Sequence, residues 1–145
     1  MGPVVRVSRR YAAAAETVFD AWLDPSKARH FLFATPSGKM VRVEIDARVG
    51  GGFTIVEKRG AQEAAHYGVY REMVRPKRLV VDFSVEKDTP GDPLTIDIRP
   101  LDSGCELTVT TELKPQYAQH VDKARAGWTH ILESLARTLG EGAKG

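Results

Sequence analysis

Six strand-like segments follow one another between residues 39 and 113 without an intervening helix, and this run restricts the possible folds more than any other feature. Apolar and polar residues alternate along the clearest of them, and Gly, Pro or Asp, which favour chain reversal, separate each from the next. Short turns between successive strands predict antiparallel neighbours. The predicted strands cover residues 39–46, 52–58, 64–73, 78–86, 94–100 and 105–113.

One further strand and two short helices precede this run, and one long helix follows it. Residues 4–11 alternate like a strand, whereas apolar residues at helical spacing predict a helix over 12–23. Pro25 ends that helix, because proline disfavours helical geometry at the residue before it, and opens a second helix over 25–31. Apolar residues recurring every three or four positions predict the long helix over 116–139.

This order of elements predicts an α+β fold. We expect a curved antiparallel sheet of about seven strands wrapped around a long C-terminal helix, with two short helices between strands 1 and 2. A sheet with one apolar face needs a cover, and a helix of this length spans roughly 35 Å, enough to cross it. The 145 residues fit a single domain, 1–145.

Charge and cysteine content narrow the possible partners. The 21 basic and 19 acidic residues are interleaved, whereas nucleic-acid binding needs a clustered basic patch, so no nucleic-acid partner is predicted. No apolar run approaches the roughly 20 residues of a membrane span, and the N-terminus lacks a signal-peptide pattern. The single cysteine, Cys105, favours a reducing compartment. We therefore predict a cytoplasmic protein, monomer or homodimer, without a membrane partner.

Several segments resemble a known family. Residues 45–53, Ile-Asp-Ala-Arg-Val-Gly-Gly-Gly-Phe, closely resemble the signature Asp-x-Arg-Val-Gly-Gly-x-Phe of single-domain, bacterial-type homologues of the activator of the heat-shock protein 90 ATPase. That group is a branch of the START-like (SRPBCC) superfamily. Residues 18–25 resemble the superfamily's helix-to-proline junction, and residues 127–135 resemble its closing helix. The resemblance implies the helix-grip fold and a cavity between the sheet and the long helix.

The implied cavity makes a small hydrophobic molecule the leading predicted partner. Many members have paired tryptophans where this chain reads His-Phe-Leu-Phe at 30–33, a difference that implies a different ligand. Phe31 and Phe33 are interpreted either as a flap over the opening or as packing that ties the short helices to the sheet. Trp128 fits either a cavity wall or plain core. The predicted ligand-binding residues are Phe31, Phe33, Phe53, His66, Tyr70, Glu72, Phe83 and Trp128.

The alternation does not decide which face of strand 64–73 points inward. One face carries His66, Gly68, Tyr70 and Glu72, which would bring polar groups into the cavity. The other carries Ala65, Tyr67, Val69 and Met73, which is more apolar and therefore favoured as the inward set.

Two alternatives to ligand binding follow from the resemblance. The first is a cochaperone-type activator of a chaperone ATPase, which would act through an outer surface. The second is a cyclase- or dehydratase-like enzyme acting on an aromatic precursor, which would need an acid and base such as His66 with Glu72 or Tyr70. No catalytic residue, metal or cofactor is predicted, because no two histidines lie at metal-ligand spacing and Cys105 has no Cys or His within five residues.

Overall fold

The computed structural model describes residues 2–87, 89 and 91–140. A 3-10 turn, Pro115–His120, leads into the last helix. The elements in chain order are β1 (Val4–Tyr11), α1 (Ala15–Ala21), α2 (Pro25–Phe31), β2 (Lys39–Ile45), β3 (Gly52–Arg59), β4 (Gln62–Val74), β5 (Arg78–Ser84), β6 (Asp92–Pro100), β7 (Cys105–Glu112) and α3 (Val121–Thr138).

All seven strands form one curved antiparallel sheet in the order β1-β7-β6-β5-β4-β3-β2. Strands β2 to β7 pair with their sequence neighbours, as short turns require, and β1 joins the sheet beside β7. Helix α3 packs against β1 and α2. The predicted fold class is therefore confirmed, including the two short helices between the first and second strands.

The core lies between the inner face of the sheet and the helices. Alternate residues of β5, β6 and β7 are buried, and they belong to the same hydrophobic core as the apolar stripe of α3. The hydroxyl of Tyr11 donates a hydrogen bond of 2.8 Å to the carbonyl of Leu132, which joins β1 to α3. The most deeply buried of these core residues are Leu79, Val81, Leu94, Ile96, Leu107, Val109, Leu132 and Leu135.

Some strands and helices begin or end at residues other than those predicted. Strand β5 ends at Ser84 rather than at residue 86, because the Ser84 hydroxyl bonds both the amide and the carbonyl of Glu86 and closes a turn. Val85, which follows the end of this strand, is exposed. Helix α1 covers a shorter range than 12–23, and the chain after Pro115 forms a 3-10 turn before α3 begins at Val121.

The more apolar face of β4 was expected to point inward, but in the structure the opposite face does. His66 and Tyr70 are buried on the inner face, whereas Val69 is exposed. The alternation then reverses, because a β-bulge between Tyr70 and Glu72 adds one residue to β4 opposite β5. Met73 therefore packs against the core, and Glu72 lies on the outer face.

Candidate functional site

The ring of Phe33 lies across two aromatic side chains of the sheet. Its centroid is 4.2 Å from that of His66, with 1° between the ring planes, and 5.1 Å from that of Phe83, with 10° between the planes. The centroids of His66 and Phe83 are 6.2 Å apart on neighbouring strands. These distances place the Phe33 ring over the gap between the other two, in parallel stacking.

Two further aromatic residues complete the surroundings of Phe33. The Phe53 centroid lies 6.1 Å away on β3, and Trp128 of α3 meets the ring edge-on at 5.8 Å. Phe33 thus fills the space between the sheet and α3, and it is only 8% exposed. This space, bounded by His66, Phe83, Phe53 and Trp128, is called the Phe33 site below.

Phe33 holds an unusual backbone conformation. Its φ of +58° lies in the left-handed region, where an aromatic side chain costs about 1–2 kcal/mol. Tertiary contacts hold this conformation, because Nη2 of Arg59 donates a 3.2 Å hydrogen bond to the Phe33 carbonyl. A side chain in the loop between α2 and β2 is therefore kept in a strained position where it fills an interior space.

The carboxylate of Glu57 anchors the loop that follows Phe33. Glu57 is 1% exposed and accepts hydrogen bonds from the Thr35 amide at 2.7 Å, the Thr35 hydroxyl at 2.9 Å and Nε of Arg59 at 2.6 Å. Burial opposes ionisation of this carboxyl, but the bonds from Arg59 and Thr35 outweigh burial and lower its pKa. A Cβ atom at Gly38 would lie 2.2 Å from the carboxyl carbon, so the loop needs glycine there.

A small cavity remains beside Phe33, with a volume of about 10 Å³, room for about one water molecule. Its walls are almost entirely apolar. The indole Nε1 of Trp22 is buried, and no residue of the described chain accepts a hydrogen bond from it. This inner cavity is lined by Trp22, Leu32, Phe33, Phe53, Tyr70, Leu79, Val81, Leu94 and Ile96.

The two titratable side chains among the predicted site residues on the inner face, His66 and Tyr70, are both neutral at pH 7. Burial lowers the pKa of His66 to about 4. Its Nδ1 lies 3.2 Å from the Ile55 carbonyl, which can only accept, so Nδ1 carries the proton. Burial also raises the pKa of Tyr70, and the negative charge of Asp46 adds to that effect. The site therefore presents uncharged, largely aromatic walls.

The structure brings six of the eight predicted site residues together. Phe33, Phe53 and Tyr70 line the inner cavity, and His66, Phe83 and Trp128 lie around the Phe33 ring.

The other two predicted residues lie elsewhere. Phe31 is fully buried and packs edge-on against Trp22 at 5.2 Å, so it supports the site without lining it. Glu72 lies on the outer face, where its carboxylate is 3.4 Å from Nε of Arg78. The acid–base pair of His66 with Glu72 is therefore not formed.

Sequence reasoning missed Glu57 and gave Trp22 no role in binding. A signal for Glu57 existed, because Phe53, Ile55 and Glu57 alternate on one predicted strand and place a carboxylate at an inward position. Trp22 lies in the apolar stripe of the first helix, which indicated burial but not an indole N–H without an acceptor.

A second concave surface lies on the outer face of β2 to β5. This outer groove is open, has a volume of about 740 Å³ and is lined mainly by polar and charged side chains. Both arginines that line it are paired with carboxylates of the same groove, Arg42 with Glu44 at 2.9 Å and Arg71 with Asp82. An apolar molecule is therefore better matched to the Phe33 site than to this groove.

Residues 2–87, 89 and 91–140 contain no group of three or more His, Cys, Asp or Glu side chains placed to hold a metal ion. None of the helices described combines the length and the apolar character that a membrane crossing requires.

The sheet, the closing helix and the enclosed aromatic site define a helix-grip domain. Residues 12–140 match the family described as Activator of Hsp90 ATPase homolog 1-like protein. The chain belongs to this family, as the motif at residues 45–53 predicted.

Solved structures of bacterial proteins share the fold along nearly the whole chain. Protein CV1439 from Chromobacterium violaceum is 29% identical, with a TM-score of 0.78 and coverage of 97% of this chain and 99% of that one. The AHSA1-like protein from Aeromonas hydrophila is 20% identical, with a TM-score of 0.81 and coverage of 95% and 92%. Protein NE0264 from Nitrosomonas europaea is 18% identical, with a TM-score of 0.81 and coverage of 95% and 94%. No match was found among curated proteins.

Proposed function

We propose that the protein binds a small hydrophobic molecule in the Phe33 site, in place of the Phe33 ring. The observation that carries this proposal is the strained, left-handed backbone that keeps a loop side chain inside the space between sheet and helix. Withdrawal of the ring relieves the strain and exposes the faces of His66 and Phe83. A flat apolar molecule can then stack on them as Phe33 does.

Binding in this way requires the loop between α2 and β2 to move. The inner cavity of about 10 Å³ is far smaller than the roughly 300 Å³ of a typical ligand site. Phe33 and Phe53 border both the inner cavity and the Phe33 site, so the two spaces merge when the ring leaves. The structure therefore corresponds to a closed form, and the ligand selects an open one.

The test is titration with an apolar fluorescent probe. Phe33→Gly removes the ring and suits the positive φ, so the open site forms without strain. We expect one probe per folded protein and an affinity at least about tenfold above wild type, because apparent affinity scales with the open fraction. Phe31→Ala is the matched control, since it truncates a buried phenylalanine outside the site and should not raise affinity.

Circular dichroism establishes that each variant is folded before it is titrated. The proposal fails if folded Phe33→Gly protein binds no probe. It also fails if Phe31→Ala raises affinity as much as Phe33→Gly, since general loosening of the core would then explain the binding.

Binding is preferred here to catalysis because Glu72 lies on the outer face of the sheet, so the acid–base pair of His66 with Glu72 is not formed. The proposal places the protein in the cytoplasm, where its single cysteine, the buried Cys105, stays reduced. Monomer and homodimer are both compatible with an internal site of this kind.

A second candidate is activation of a chaperone ATPase, favoured by the family's description and by the open outer groove. A surface contact of that kind would use the charged rim of the groove, including Arg71. Several-fold stimulation of a heat-shock protein 90 ATPase that is lost in Arg71→Ala would favour this function over ligand binding. Unchanged ATPase activity would leave ligand binding as the proposal.

A further inference from the structure

One polar group beside the Phe33 site has no partner in the part of the chain that the structure describes. Trp22 is 3% exposed and lines the inner cavity, and its Nε1 finds no acceptor anywhere in the described residues. Buried indole N–H groups are normally hydrogen-bonded, because an unpaired donor loses its bonds to water and gains none in return. Because Trp22 is a wall residue of the inner cavity, a molecule that enters this cavity can supply the acceptor that the donor lacks.

The rest of the cavity wall defines the kind of acceptor that fits. Apart from Trp22, Tyr70 is the only lining residue with a polar side chain, so any oxygen that enters lies among hydrocarbon and aromatic groups. No Lys or Arg is among the lining residues to balance a negative charge. A carboxylate would thus be desolvated without a counter-charge, whereas a neutral carbonyl or ether oxygen requires only a donor.

We propose that the ligand is a neutral, largely apolar ring compound with one carbonyl or ether oxygen, and that Nε1 of Trp22 donates a hydrogen bond to this oxygen. The inference rests on the proposed function, because the ligand reaches Trp22 only when the Phe33 ring has left. The ring of the ligand occupies the Phe33 site while its oxygen enters the inner cavity.

Three naphthalenes of similar size test this inference. These are 2-acetylnaphthalene, which has the carbonyl, 2-isopropylnaphthalene, which matches its shape without an acceptor, and 2-naphthoate, which is charged. In wild type we expect the ketone to bind about three- to tenfold more tightly than the hydrocarbon. Naphthoate should bind at least about tenfold more weakly than the ketone. Isothermal titration calorimetry measures all three.

Trp22→Phe then isolates the hydrogen bond. The smaller ring alters packing for both neutral probes alike, so the ratio of their affinities reports on the donor alone. We expect this ratio to fall to about one in the variant. If Trp22→Phe is unfolded, the indole N–H resonances of wild type provide the same information. The Trp22 signal, identified by its persistence in Trp128→Phe, should move downfield with the ketone and not with the hydrocarbon.

The outcomes separate the two proposals. Absence of binding by all three naphthalenes, in wild type and in Phe33→Gly, overturns the proposed function itself. Equal affinity for ketone and hydrocarbon in wild type, or a ratio that persists in Trp22→Phe, overturns the role of Trp22 and leaves an apolar site. Tightest binding of naphthoate would show that the ligand is an anion.

Discussion

Acidification from pH 7 to pH 4 is expected to remove about 3 kcal/mol of folding free energy through His66 alone. The unfolded chain takes up a proton on this imidazole near its ordinary pKa of 6.5, whereas burial delays uptake in the folded protein to about 4. Between these values the unfolded state binds more protons, so stability falls as the pH falls. By linkage, more than half of the loss is reached by about pH 5.

Urea denaturation of wild type and His66→Phe at several pH values measures this contribution. The phenylalanine keeps a flat ring beneath Phe33 but cannot titrate, so its stability should change less over the same range. Replacement of the exposed His120 by phenylalanine is the matched control and should follow wild type. The pKa of Glu57 is lowered, so its contribution begins to be lost only below its ordinary pKa of 4.5 and does not affect the range between pH 6.5 and 5. Parallel curves for wild type and His66→Phe between pH 6.5 and 5 would contradict the expectation.

Glu57→Ala should lower the free energy of unfolding by about 2–4 kcal/mol. The substitution leaves the Thr35 amide without its acceptor and Arg59 without its partner, and Arg59 is exposed enough for water to replace part of the loss. Because Arg59 also bonds the carbonyl of Phe33, the loop should loosen and the apolar probe should bind more tightly than to wild type. Urea denaturation and probe titration measure the two effects.

Glu44→Ala provides the control for Glu57. Glu44 also pairs with an arginine two residues away, Arg42, at 2.9 Å, but both side chains are exposed. Its removal should leave the unfolding midpoint unchanged, since exposed ion pairs contribute little. Similar losses in the two variants would show that burial of Glu57 is not what stabilises the loop.

The order of elements could be predicted from the sequence because its signals are local. Pro25 separates the two short helices, and alternation with Gly and Pro turns separates the strands. The inward face of β4 could not be predicted in the same way. An alternating pattern identifies one face of a strand only where no β-bulge interrupts its pairing with the neighbouring strand. One extra residue near Arg71 places Tyr70 and Met73 on the same face, although they differ in parity.

The conformation of Phe33 also lay beyond sequence reasoning, although the residue itself was predicted. Positive φ is normally indicated by glycine or asparagine, and neither occupies this position. What imposes the conformation is the bond from Arg59 and the stacking on His66 and Phe83, and these residues lie 26 to 50 positions away in the chain. Local sequence preferences therefore cannot predict a strained backbone conformation that is stabilised only by contacts with residues far away in the chain.

The proposed function has a further consequence, because it makes the Phe33 ring a competitor that cannot diffuse away. A group tethered beside its own binding site is present at a constant, high effective concentration, whatever the concentration of free molecules in solution. Every external ligand must displace it, and the measured affinity is lowered by the occupied fraction. Weakly bound hydrophobic compounds are then excluded even when abundant. The ring therefore sets a threshold of affinity, and only a molecule that fits the site better than phenylalanine crosses it.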